Sequence, residues 1–280
     1  TYGTNGFYIT GEDSAALGTD YSGNGNNFTS SGLTSDDQML DTPTNNYPVF
    51  SPINKSTNIT LSDGNLLASS SGSGDTFPVM ATICPESSKW YAEFEMVEAD
   101  NTVYVGVGNS SETARIAGAT FTNVVVGRAA GYQNGVSYRS GTGDIWTGGS
   151  SSAYGSTFTT NDIIGVALDA DTGSVWFSKN GTFQNSGNPA AGTGAAATGL
   201  TGPFCFSMSI YTTDDVRANF GQSAFTYTPP TGFSVLSTAN LPTPTITDGS
   251  ANFQTTLYTG NAATQDITGI SFQPDFVWQK

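Results

Sequence analysis

The chain has 280 residues, with 8 Lys and Arg against 23 Asp and Glu, no His and two Cys, for a formal charge of −15. Eight cations over this length cannot neutralise a run of phosphates, which sets aside nucleic-acid binding and adsorption to anionic membranes. Without histidine there is no Ser-His-Asp or Cys-His relay, no His-bound zinc and no imidazole switch.

Charged side chains make up 11% of the residues, against roughly 25% in an ordinary soluble domain. Gly, Ser, Thr and Asn take their place, giving a surface that hydrogen-bonds through neutral groups, as extracellular β proteins do. The 4 Trp, 12 Tyr and 17 Phe are enough to fill a core. No apolar run approaches the roughly 18 residues of a membrane span, so no membrane insertion is expected.

In chain order, residues 1–45 are Gly- and Asn-rich and read as a linker or assembly segment. From residue 46, short apolar runs alternate with Gly, Asn, Asp and Ser, and no amphipathic stretch is long enough for a helix. The pattern predicts strands over residues 58–69, 77–83, 89–97, 102–108, 124–128, 163–169, 174–178, 204–211 and 216–220. Short strands separated by turn signals indicate an all-β sandwich. The sharpest signal lies between Asp162 and Gly181, where two strands flank a turn carrying Asp171 and Gly173, and Asn180-Gly181 marks a second reversal. Pro242 and Pro244 in a Thr-rich run mark a linker, which puts boundaries at 46–236 for the sandwich and 237–280 for the linker and the start of a further module. Cys84 and Cys205 lie in apolar, strand-like runs. They are either buried free thiols or one bridge, and the sequence does not choose between them.

Four groups of residues invite a chemical reading. Glu93, Glu95 and Glu98 come close to the paired carboxylates of a concanavalin-like glycoside hydrolase, which needs an acid and a nucleophile about 5 Å apart on one sheet face. Strict alternation puts Glu93 and Glu95 on one face and Glu98 on the other unless a bulge intervenes, and solvated outer-face glutamates explain the pattern more simply. The loop from Asp20 to Asn27 offers oxygen ligands at calcium-like spacing but only one carboxylate. Asp169 with Asp171, and Asp214 with Asp215, read as turn residues. Tyr132, Asn134, Tyr138, Trp146 and Tyr154 place aromatic rings among Gly and Ser, the means by which proteins stack on sugars or anchor partners; core packing is the competing reading. No cofactor, metal or catalytic residue is expected.

The segment from Asp162 to Gly181 resembles the core of SPRY (B30.2-like) domains: a D-x-I-G-V-x-L-D strand, a short turn, then V-x-F-x-K-N-G. Lys89-Trp-Tyr-Ala-Glu-Phe-Glu95, Tyr104-Val-Gly-Val-Gly108, Val216-Arg-Ala-Asn-Phe-Gly221 and the tail from Gln222 to Leu236 are similar to other strands of that family in the same order. The resemblance implies a concanavalin-like antiparallel β-sandwich that serves as an interaction module, with no fixed binding residues to carry over.

Gly3-Thr-Asn-Gly-Phe-Tyr-Ile9, the run from Leu17 to Phe28, and Asp41-Thr-Pro-Thr-Asn-Asn46 resemble linkers that precede such domains in tailed-phage structural proteins. The run from Ile267 to Trp278 is similar to the opening of a further module there, cut short at Lys280. These flanks imply a virion protein, foremost a tail fibre, partnered by other virion proteins, by copies of itself as a homotrimer, and by a host-surface glycan or protein. A secreted lectin-like module and an extracellular filament subunit are the alternatives, and a glycoside hydrolase a remote one.

Overall fold

A computed structural model of the chain describes residues 2–34, 37–38, 41–42, 44–71, 76–99, 102–113, 124–128 and 133–278. The strands form two sheets. The seven-stranded sheet runs, in spatial order, β1 (Phe50–Lys55), β4 (Thr76–Ala81), β13 (Phe204–Tyr211), β6 (Val103–Asn109), β7 (Gly135–Arg139), β8 (Asp144–Thr147) and β9 (Ser150–Ala153). The other runs β12 (Thr182–Phe183), β11 (Ser174–Lys179), β10 (Ile163–Asp169), β5 (Lys89–Glu98), β14 (Asp215–Asn219), β3 (Leu67–Ser70) and β2 (Ile59–Ser62), with β15 (Ser234–Val235) added in parallel to the start of β5.

Alternation fixes the core. In β13, Phe204, Phe206, Met208 and Ile210 point inward between Cys205, Ser207 and Ser209, and in β5 the inward set is Trp90, Ala92, Phe94 and Met96. These meet Val103, Val105 and Val107 of β6 and Ile164, Val166 and Leu168 of β10 in one cluster. Phe220 lies at its centre, with ring centroids 5.8 Å from Phe50, 5.9 Å from Phe94 and 6.1 Å from Phe206.

The expected strand over residues 124–128 is instead a turn-containing strap across the outer face of the seven-stranded sheet. Its three valines are buried because Gly106, Ser137, Ser207 and Ser209 leave that face shallow. Ser137 Oγ and Ser209 Oγ donate to the carbonyls of Val126 and Val124 at 2.8 and 2.9 Å, replacing a strand ladder with side-chain hydrogen bonds. The run 58–69 divides into β2 and β3 around a reversal at Asp63, Gly64 and Asn65, all at positive φ. The reversals at Gly173 and at Asn180-Gly181 are where the sequence puts them, again at positive φ.

Cys84, just past β4, is bridged to Cys205 on β13, closing 121 residues of chain. A loop of that length restricts the unfolded chain enough to add up to about 5 kcal/mol on the chain-entropy model. The sandwich begins and ends at one place: Asn46 N donates to Thr238 Oγ1 (2.8 Å) and Thr238 N returns to the Asn46 carbonyl (2.9 Å).

Residues 1–241 form one compact unit and residues 242–280 another. The first thus takes in the N-terminal segment and ends a few residues beyond the boundary that the Pro and Thr content suggested. The second contains a capped turn, Gly249–Ala251, and no strand among its described residues, and it leaves Phe253, Leu257, Phe276 and Trp278 exposed.

Candidate functional site

Glu93 and Glu95 do share the outer face of the eight-stranded sheet, but Glu93 is not solvated: it is 3% exposed. Its Oε2 accepts from Thr226 N and its Oε1 from Tyr227 N, both at 2.8 Å, and the Tyr91 hydroxyl donates to Oε1 at 3.2 Å. A carboxylate saturated by two amides and a phenol is a latch for the tail beyond β14. The tail packs Phe225 and Phe233 over Tyr91, Ala167 and Trp176, with Phe225 edge-on to Tyr91 at 5.0 Å. Burial, reinforced by the Glu93 charge, pushes the Tyr91 phenol well above its ordinary range, so it remains a donor.

Glu95 is exposed and lies 3.7 Å from Arg217 Nε, whose Nη1 reaches Asp63 at 2.9 Å. The pairing of β5 with β14 slips between Met96 and Glu98, so a bulge at Val97 does interrupt the alternation. Glu98 is exposed but takes no part in the cleft of about 250 Å³ that Glu93, Glu95, Arg217, Asn219 and Gln222 line. The amides there bond locally: Asn219 holds Gly221 N and the Ala224 carbonyl, and Gln222 holds Phe220 N and the Ala218 carbonyl. The three glutamates therefore do not form an acid and nucleophile pair.

The five residues expected near a binding surface separate. Tyr138 and Tyr154 are core: their rings pack at 5.6 Å and both meet Phe177. Burial pushes both phenols up, Tyr154 to about 12, and the Tyr154 oxygen accepts from Phe177 N at 3.1 Å. Neither ring is available to a sugar, because alternation along β7 turns Tyr138 inward beside Val136. Tyr132 lies outside the described residues. Asn134 clamps the loop before β13, donating to the Thr201 carbonyl at 3.0 Å and accepting from Thr201 N at 3.0 Å. Trp146 is half-buried on the outer face, with the Arg128 guanidinium 5.1 Å from its ring centroid. Asn134 and the Arg128–Trp146 pair share one end of the β7–β8 hairpin, where Val136 faces Thr147. What that end can offer a partner is the stacked Arg128–Trp146 pair, the Asn134 amide being taken up by Thr201.

The loop from Asp20 to Asn27 forms a knot built on hydrogen bonds. Asp20 Oδ1 accepts from Tyr8 N and Ser22 N, and Oδ2 from Ser22 Oγ and Asn26 N, all within 2.9 Å. Asn24 and Asn26 turn their amide groups to the carbonyls of Gly3, Thr4 and Gly6. Desolvation works against ionisation of Asp20, but the Ser22 hydroxyl and the three amides outweigh it and hold the carboxyl down at about 2. Amide donors occupy the positions a calcium ion would need. Among the described residues no group of three or more potential ligands could hold a metal.

Asp169 Oδ1 accepts from the amides of Asp171 and Thr172 while its Oδ2 meets Lys89 at 3.1 Å, and Asp171 accepts from Ser88 N, so both organise the turn. Every described cation is engaged. Lys179 pairs with Asp162 at 3.0 Å, Lys55 donates to the Ile59 carbonyl and Arg139 lies over the Tyr104 ring.

With this geometry established, comparison with known families is decisive for the central stretch: the family model of the SPRY domain matches residues 89–223. This stretch is a SPRY domain. SPRY domains are in general non-catalytic modules for protein interaction, and here the matched stretch begins at β5 and ends where the tail that Glu93 latches begins. A domain of unknown function (DUF7483) matches residues 248–280. Similar solved structures include the SPRY domain of human HERC1, 19% identical over 60% of this chain and 96% of that one with a TM-score of 0.46. A second human SPRY domain is 16% identical over 60% of this chain and 98% of its own, with a TM-score of 0.45.

Proposed function

We propose that the chain is a non-catalytic virion protein of a tailed bacteriophage, foremost a tail fibre, whose SPRY sandwich serves assembly or adhesion to the host surface. The observation that carries the non-catalytic reading is the fate of Glu93, whose carboxylate is taken up by the amides of Thr226 and Tyr227. The disulfide favours an oxidising, extracellular setting, in which such bridges persist. The engaged cations argue against nucleic acid and other polyanions as partners. The flanking motifs favour the virion. Copies on several fibre arms would turn weak single sites into avidity.

The test is sedimentation equilibrium on the whole chain and on a form lacking residues 1–45, followed by binding of each to bacterial cells. A trimer that dissociates on truncation, with saturable cell binding weakened by Trp146→Ala, supports the proposal. A monomer in both forms that still binds glycan arrays supports the secreted lectin-like module instead. Release of reducing sugar from a polysaccharide panel, abolished by Glu93→Gln, would restore the hydrolase.

A further inference from the structure

Among the described residues the two sheets end in four strand edges, and three carry devices that discourage pairing. β1 contains Pro52 and a register shift between Phe50 and Lys55, β12 has two residues, and β2 has the Lys55 ammonium on its Ile59 carbonyl. β9 has none. Its sequence is Ser-Ser-Ser-Ala, all four residues are exposed, and it carries no proline, bulge or charge.

The geometry of that edge derives from its hairpin. Gly148 and Gly149, at φ +57° and +81°, make a two-residue turn closed by Thr147 and Ser150. Antiparallel ladders alternate, so Ser150 and Ser152 turn their backbone groups to β8, while Ser151 and Ala153 turn an N–H and a C=O each to solvent. We propose that β9 pairs antiparallel with β9 of a second copy of the chain, joining the two seven-stranded sheets into one. With Ser152 on the two-fold axis, Ser151 faces Ala153 of the second copy, and the two equivalent pairs make four N–H to C=O hydrogen bonds.

A second copy fits better than a foreign peptide. Ser and Ala side chains meet their own kind without clash and form no pockets that would select another sequence. A chain of charge −15 repels itself, and β9 and its Gly148-Gly149 turn carry no charged side chain, so the edge that would pair sets no like charges directly against each other. A four-residue edge falls far short of the roughly 1,200 Å² of a stable complex. The association is therefore weak in dilute solution and takes effect where copies are held close.

Ser152→Cys in the full chain tests this directly. Both native cysteines are bridged, so the new thiol is the sole free one. Opposite residues of a non-hydrogen-bonded pair lie about 4.5 Å apart at Cα, within reach of a disulfide. Under mild oxidation Ser152→Cys is expected to give covalent dimer at least about ten times faster than Ser62→Cys on the guarded β2 edge. Adding Ser151→Pro, which deletes an outward N–H, or Ala153→Glu, which adds two like charges across the pair, brings the rate down to that of the control. Equal rates for Ser152→Cys and Ser62→Cys, or a rate indifferent to both blocking changes, overturns the proposal.

Discussion

In residues 46–241 nearly all the large apolar side chains point inward, Ile53 excepted, and a disulfide closes the chain on itself. In residues 2–34 Phe7, Tyr8, Tyr21 and Phe28 are about half-exposed, and Asp20 keeps the shape. One region is stabilised mainly by burial, with carboxylates such as Glu93 and Asp169 at its margins; the other depends on hydrogen bonds to a single ionised group, which acid removes. The difference teaches that only the sandwich has the means to persist alone, and that the segment before it has spare apolar surface without a core of its own.

The contrast can be broken from either side. Replacing both Cys84 and Cys205 by Ser is expected to lower the unfolding free energy of the sandwich by up to about 5 kcal/mol in denaturant titration, with the amide signals of the knot unchanged. Phe94→Ala, opening a cavity beside Phe50, Phe206 and Phe220, should cost roughly 3–5 kcal/mol in the same titration. Glu93→Ala unpairs two amides and a phenol and should cost about 2–3 kcal/mol, with proteolysis beginning in the tail around Thr226.

The smallest effect on the whole molecule is the most selective. The Asp20 carboxyl, held at about 2 when folded, returns to its ordinary value of 3.8 when the knot opens, so the open form binds more protons between those values. The knot's share of stability is full above about pH 4 and is lost as pH falls towards 2. Amide resonances of Tyr8 and Asn26 should shift over that interval while those of β6 and β13, which carry no carboxylate, stay in place. Simultaneous loss of both sets would make the two regions one cooperative unit.

The sandwich was legible because its inner strands alternate large and small residues, as Phe204 to Ile210 do, and its turns carry Asp and Gly where positive φ is needed. β7, β8 and β9 were not, because Gly135-Val-Ser-Tyr-Arg139 and the Ser run of β9 lack the apolar density that marks a strand. Residues 124–128 read as a strand for the converse reason: buried valines look alike whether they sit in a sheet or lie across one. Glu93 was misjudged because alternation gives the face of a residue and not what later folds over that face. Its partners are 133 and 134 residues away in sequence. The spacing of Tyr138 and Tyr154 among Gly and Ser suggested exposure, yet one small neighbour per strand is also what a packed ring requires.

The clasp between Asn46 and Thr238 has a mechanical consequence. Chain arriving at residue 45 and chain departing after residue 241 meet at one point, so tension along the backbone is resisted by a few parallel hydrogen bonds there and not by the sheets. The sandwich behaves as a pendant hung from a strained cord. Once that clasp opens the load passes to the sheets, and the Cys84–Cys205 bridge keeps 121 residues of the pendant from unreeling into the line.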